Sequence, residues 1–99
     1  MPEMTFTVRW PDGEVDDCYS PSLVVHDHLT VGRYAVAEFR RRATAALDEA
    51  GERVRARYGF ACTSAAATRE HVERRAASFP PNAVVTVLRL HPPLPEAGS

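Results

Sequence analysis

The sequence predicts an α+β domain: a small sheet of about three strands, covered on one face by two or three helices. Three observations predict it: a long helical stripe, a strictly alternating stretch near the start, and a β-branched apolar run near the end. The stripe is Val36, Phe39, Ala43, Leu47, Ala50, Val54 and Tyr58, always three or four residues apart. That is the α-helical period, so the seven side chains share one face and commit it to a core. Glu38–Arg42 and Glu49–Arg53 have the i,i+4 spacing that supports a helix surface. Arg53, Arg55 and Arg57 suit the negative end of the helix dipole. Gly59 is placed to close the helix in the left-handed conformation, with Phe60 folding back on Val54.

Upstream, Met4-Thr5-Phe6-Thr7-Val8-Arg9-Trp10 alternates, with Met4, Phe6, Val8 and Trp10 on one side of a half-buried strand. Trp10-Pro11-Asp12-Gly13 has Pro, Asp and Gly in the order a bulged hairpin turn requires. The returning arm, Glu14 to Tyr19, is acidic and weakly apolar, as suits an edge strand. Ser20-Pro21 reads as an N-cap followed by Pro in the first helical position. Ser22 to Leu29 then fits a short helix, with Val24-Val25 leaving a strand as the alternative. Thr30 to Ala35 reads as a connection.

After Phe60, Thr63 or Ser64 caps a second helix running to about Phe79. Its stripe is Ala65, Thr68, Val72, Ala76 and Phe79, with Glu70–Arg74 as a surface pair, and Pro80-Pro81 ends it. Ala83 to Leu90 reads as a strand with both faces largely buried. Residues 1–90 therefore form one domain of order β-β-(α)-α-α-β, with the first strand between its hairpin partner and the last strand. Residues 91–99 are expected to be a flexible Pro-rich tail. A last strand apolar on both sides sits badly at the solvated edge of a three-stranded sheet. That tension predicts a homodimer.

Composition bounds the function. The chain has 99 residues, 44% hydrophobic and 25% charged, with a net charge of −1. This balance argues against nucleic acid as the main partner. All twelve basic residues are Arg, and Arg40-Arg41-Arg42 reads as a solvated helix face, since consecutive helical residues spread around the circumference. No apolar run approaches a membrane span and no signal segment is evident, so a cytoplasmic location is expected, with no membrane partner.

Cys18 and Cys62 are the candidate reactive thiols. Each lies two residues before a Ser expected to cap a helix, and a helix N-terminus lowers a thiol's pKa. The competing reading is two small buried apolar residues. Tyr19, Ser20 and Ser22 surround the first thiol and suggest a hydroxyl nucleophile, though no base–acid set accompanies them, and capping accounts for Ser20. His26 and His28 share a face in a strand but point about 200° apart in a helix, and zinc wants three or four ligands. His71 and His91 are too weakly placed to complete such a set. No metal, cofactor or catalytic residue is predicted.

Several strings together resemble a known family. Met1-Pro2-Glu3-Met4, Val8-Arg9-Trp10-Pro11-Asp12-Gly13 and Asp17-Cys18-Tyr19-Ser20-Pro21-Ser22-Leu23-Val24-Val25 resemble small bacterial nitrogen-starvation response proteins. Ala37-Glu38-Phe39, Glu52-Arg53-Val54-Arg55-Ala56, Tyr58-Gly59-Phe60-Ala61-Cys62 and Val85-Thr86-Val87-Leu88 fit the same pattern. The resemblance spans about residues 1–90. It implies a setting near genes for a nitrilase-type hydrolase, a radical-SAM protein, an acetyltransferase and a flavin-dependent oxidoreductase. It supplies no catalytic residues.

The expectation is a non-enzymatic accessory or regulatory protein that contacts itself and enzymes of that nitrogen-scavenging pathway. The alternatives are a small-ligand sensing domain of nitrogen metabolism and a thiol-dependent enzyme or carrier using Cys18 or Cys62.

Overall fold

Strict alternation at the start of the chain produces the first strand, and the turn after it produces a hairpin. The computed structural model describes residues 3–59 and 63–93. Strand β1 (Met4–Arg9) buries Met4, Phe6 and Val8, and Trp10 continues the same face. Gly13 adopts φ +90°, its N–H donates to the Trp10 carbonyl at 2.9 Å, and the Trp10 N–H donates to the Glu14 carbonyl at 2.8 Å. Asp12 steadies the turn by accepting from the Glu14 N–H. Strand β2 (Val15–Ser20) returns antiparallel, pairing Phe6 with Cys18 and Thr7 with Asp17.

The segment after β2 is a short 3-10 turn, Leu23–Asp27. Its cap is Ser22 rather than the expected Ser20, because the Ser22 hydroxyl accepts from the Val24 N–H. Ser20 instead ends β2 on its buried face, and its hydroxyl donates to the Ser22 carbonyl at 2.8 Å. The β-branched Val24 and Val25 are both buried and hold the turn against the core.

Thr30 to Ala35 is more than a connection. Gly32–Ala35 forms strand β3, so the sheet has four strands rather than three, in the order β2-β1-β4-β3 and antiparallel throughout. β3 runs straight into helix α1 (Val36–Tyr58) with no side-chain cap at Ala35. The first helical N–H groups find tertiary acceptors instead: Val36 donates to the Ala83 carbonyl and Ala37 to the Pro81 carbonyl. The expected stripe is buried from Val36 to Val54, joined by Thr44 and Ala46, while Tyr58 is half exposed. Gly59 ends the helix with φ +78° and donates to the Arg55 carbonyl. Phe60, whose contact with Val54 was anticipated, lies outside the described residues.

Helix α2 (Thr63–Ala77) buries Ala65, Val72 and Ala76. Arg40–Glu73 and Asp48–Arg69 ion pairs join it to α1, and it also packs over β2. Phe79, just past its end, stacks on Trp10, which meets Phe39 edge-on at 5.5 Å.

Strand β4 (Val84–His91) lies inside the sheet, between β1 and β3. It is not doubly buried. Val85 and Val87 are fully buried on the helix side, whereas Val84 on the other face is 48% exposed. Thr7 pairs with Arg89 and Val8 with Val87, so Leu88 is an extra residue in a bulge. The bulge turns Arg89 outward and returns Leu90 to the core side opposite Phe6. The strand includes His91, one residue beyond the expected end of the domain.

Candidate functional site

On the inner face of β2 the alternating residues are Asp16, Cys18 and Ser20, an unusually polar set for a strand covered by a helix. Burying such groups costs free energy unless each finds a partner. Asp16 has the densest set. Its Oδ2 accepts from Trp10 Nε1 at 2.7 Å and lies 3.0 Å from His71 Nε2, with Arg75 Nε at 3.6 Å. Burial alone would raise the Asp16 pKa, but the hydrogen bonds from His71 and Trp10, with the charges of His71 and Arg75, hold it below the usual carboxylate value. Arg75 also reaches Asp12 and Glu14 and lies over the Trp10 and Phe79 rings at 5.3 and 5.5 Å. One carboxylate and one guanidinium thus fasten the hairpin to α2.

Beside this cluster an open, shallow groove runs between β2 and α2, lined by Asp16, Asp17, Cys18, Tyr19, Thr68 and His71. Cys18 sits mid-strand opposite Phe6, 3% exposed, and not ahead of a helix. Burial, aided by the neighbouring charges of Asp16 and Asp17, pushes its thiol up to about 12. This is the reverse of the lowering expected from a helix N-terminus, and it keeps the sulfur protonated near neutral pH. Cys62 lies outside the described residues. The helix after it already includes Thr63 and Ser64, so neither is the cap itself.

The remaining sequence candidates separate. His26 Nε2 meets the Pro92 carbonyl at 2.9 Å, while His28 Nε2 meets Glu49 Oε1 at 3.1 Å. Among the described residues no group of three or more His, Cys, Asp or Glu side chains is arranged to hold a metal ion. Arg40, Arg41 and Arg42 are exposed, as a solvated helix face requires: Arg40 pairs with Glu73 on α2, while Arg41 and Arg42 both reach Glu38. Tyr19 points away from the core, its hydroxyl donating to Glu3 Oε2 at 2.9 Å.

Sequence reasoning missed Asp16 and Arg75 and discounted His71. The signal was there in part. Asp16 shares strand parity with Cys18 and Ser20, so a carboxylate on the covered face required a cation, and His71 and Arg75 are four apart on one helix face.

Among the described residues, no second layer covers the opposite face of the sheet. Strand pairing arranges it in rows: Val15, Arg9, Thr86 and Arg33, then Asp17, Thr7 and Arg89, then Tyr19, Thr5 and His91. Ala35 and Val84 close one end. Val15, Val84 and Tyr19 are 51%, 48% and 36% exposed. Thr7 Oγ1 donates to Asp17 Oδ1 at 2.7 Å, holding that carboxylate on the face.

The model of one protein family, described as nitrogen starvation-induced protein NitG, matches residues 5–90. The chain belongs to this family. The membership agrees with the resemblance read from the sequence strings. No curated protein and no solved structure matches the chain. The stretch shared with the NitG family includes Trp10, Asp16, Cys18 and His71 as well as the rows of the outer sheet face apart from His91. No helix among the described residues is long and apolar enough to cross a membrane.

Proposed function

We propose that the protein is a non-enzymatic accessory or regulatory protein of a bacterial nitrogen-starvation response. It acts in the cytoplasm by contact with itself and with enzymes of a nitrilase-containing pathway. The observation that carries this reading is the outer sheet face, which no other described element covers and where Val15, Val84 and Tyr19 stand exposed among threonines. Exposed apolar side chains on a flat sheet favour a protein partner, because covering them removes apolar area from water. The polar groups that converge most closely, Asp16, His71 and Arg75, are engaged in fastening α2 to the hairpin. The NitG membership supports the physiological setting.

The test is binding in a purified system. The chain is immobilised and offered separately to the pathway's nitrilase-type hydrolase, radical-SAM protein, acetyltransferase and flavoprotein. Retention of at least one at micromolar concentration is the expected result. Passage of all four without retention overturns the reading.

A further inference from the structure

We infer that the crossing of α1 and α2 holds a binding site for a small zwitterion, an α-amino acid with a short or apolar side chain. The residues that line it belong to the two helices alone, away from the sheet face assigned to protein contact. Either surface can act without the other.

The site begins as a gap in helix packing. Gly51 and Ala65, with the charged side chains of Asp48, Glu52, Arg55 and Arg69, line an open depression of about 180 Å³. Pockets for drug-sized molecules span about 300–1,000 Å³, so an occupant here is smaller. Gly51 opens the space. Glycine weakens a helix interior relative to alanine, and the helix crossing does not require one. A methyl at Gly51 would meet the Ala65 methyl carbon at 3.9 Å, an ordinary contact. The room left by that missing methyl belongs to the depression.

Unmet polar groups line the same place. Asp48 Oδ1 lies 2.8 Å from Arg69 Nε but off the line of its N–H. The two attract by charge, yet this buried N–H makes no hydrogen bond. A buried donor left unmet costs stability, so the group is suited to an acceptor that binds there. Glu52 and Arg55 have the i,i+3 spacing of a helix-surface pair, yet among the described residues neither side chain has a charged partner. Their neighbours Glu49 and Arg53 do pair, at 3.2 Å.

The four charges select the class of ligand. A lone anion would be repelled by Asp48 and Glu52, and a lone cation by Arg55 and Arg69. A molecule carrying both signs a short distance apart satisfies all four. Its carboxylate accepts from Arg55 and from the Arg69 N–H, and its ammonium donates to Glu52 and Asp48. An α-amino acid is the small molecule with that pattern. Its side chain then lies against Gly51 and Ala65, whose size suits a short or apolar group.

The test is an amide NMR titration of the full chain with L-alanine and with L-valine, each to about 10 mM. Saturable shifts at the Gly51 and Ala65 amides are expected with at least one of them. Propionate and ethylamine keep one charge each of alanine, as isovalerate and isobutylamine do of valine. All four should bind at least about tenfold more weakly than the parent amino acid. Glu52→Gln and Arg55→Gln should each weaken binding by about tenfold or more. Both positions are exposed, and circular dichroism checks that the variants fold. Gly51→Ala should keep or raise the urea midpoint and still weaken binding, whereas a glycine of purely structural role would leave affinity untouched. No saturable shift with either amino acid, a singly charged analogue that binds as well as its parent, or affinity unchanged in the three variants overturns the inference.

Discussion

At the scale of single residues, the sharpest contrast is between Cys18 as a motif and Cys18 in place. A thiol two residues before a capping Ser suggests activation, yet β2 carries this one into the core, where the charged form is unfavourable. With Cys62→Ser removing the other thiol, the folded protein should react with iodoacetamide far more slowly than free cysteine near pH 7. The same protein should label fully in denaturant. Fast labelling of the folded form would contradict the burial described here.

Asp16 gives a second residue-level expectation, with a definite sign. Its folded pKa lies below the ordinary 3.8. Its contribution to stability is therefore fully present above pH 3.8 and is lost as pH falls through the lower folded value. Asp16→Asn should cost about 1.5–3 kcal/mol at pH 6, the range for hydrogen bonds to a charged group. The gap to the unsubstituted protein should narrow below pH 3.8 in urea titrations. A gap of constant size down to pH 2.5 would mean that the charge is not what matters.

At the scale of elements, α1 shows how much of a helix is local. Its stripe, its ion pairs Glu38–Arg42 and Glu49–Arg53, and its Gly59 closure are all readable from spacing. Gly59 has open space around its Cβ position, so Gly59→Ala tests the backbone alone. A cost of about 1–2 kcal/mol is expected from forcing an L side chain to φ +78°. Chemical denaturation measures it, and no loss at all would argue against the left-handed closure. The other end of α1 was not readable. Ala35 offers no capping side chain, and the carbonyls of Ala83 and Pro81 that serve the first turn come from more than forty residues downstream. β3 was missed for a related reason. Four residues, one of them Gly, are too few for alternation to register, and what makes them a strand is the waiting edge of β4.

For the whole molecule, the core lies between one sheet face and two helices, with Trp10, Phe6, Phe39 and Leu47 fully buried at its centre. Phe39 belongs to the helix, yet its ring meets Trp10 from the hairpin, so one side chain ties the two layers together. Phe39→Ala should cost about 3–5 kcal/mol, the range for emptying a large buried aromatic site. Against a total of about 5–15 kcal/mol for a domain of ordinary stability, that is a large share. A urea midpoint shifted by less than about a fifth of its starting value would place the centre of the core elsewhere.

The sequence by itself determined the hairpin, both helices, the final strand and the family, because each rests on periodicity, turn chemistry or matching strings within a short stretch of chain. It also placed β1 between its hairpin partner and the last strand. Only the tertiary structure decided the fourth strand, the bulge at Leu88 that turns Arg89 out, and the meeting of Asp16 with His71 across 55 positions. The physical reason is range. Backbone preferences and hydrophobic spacing act over a few residues, whereas a strand edge, a borrowed helix cap and a buried carboxylate are satisfied by groups that only folding brings near.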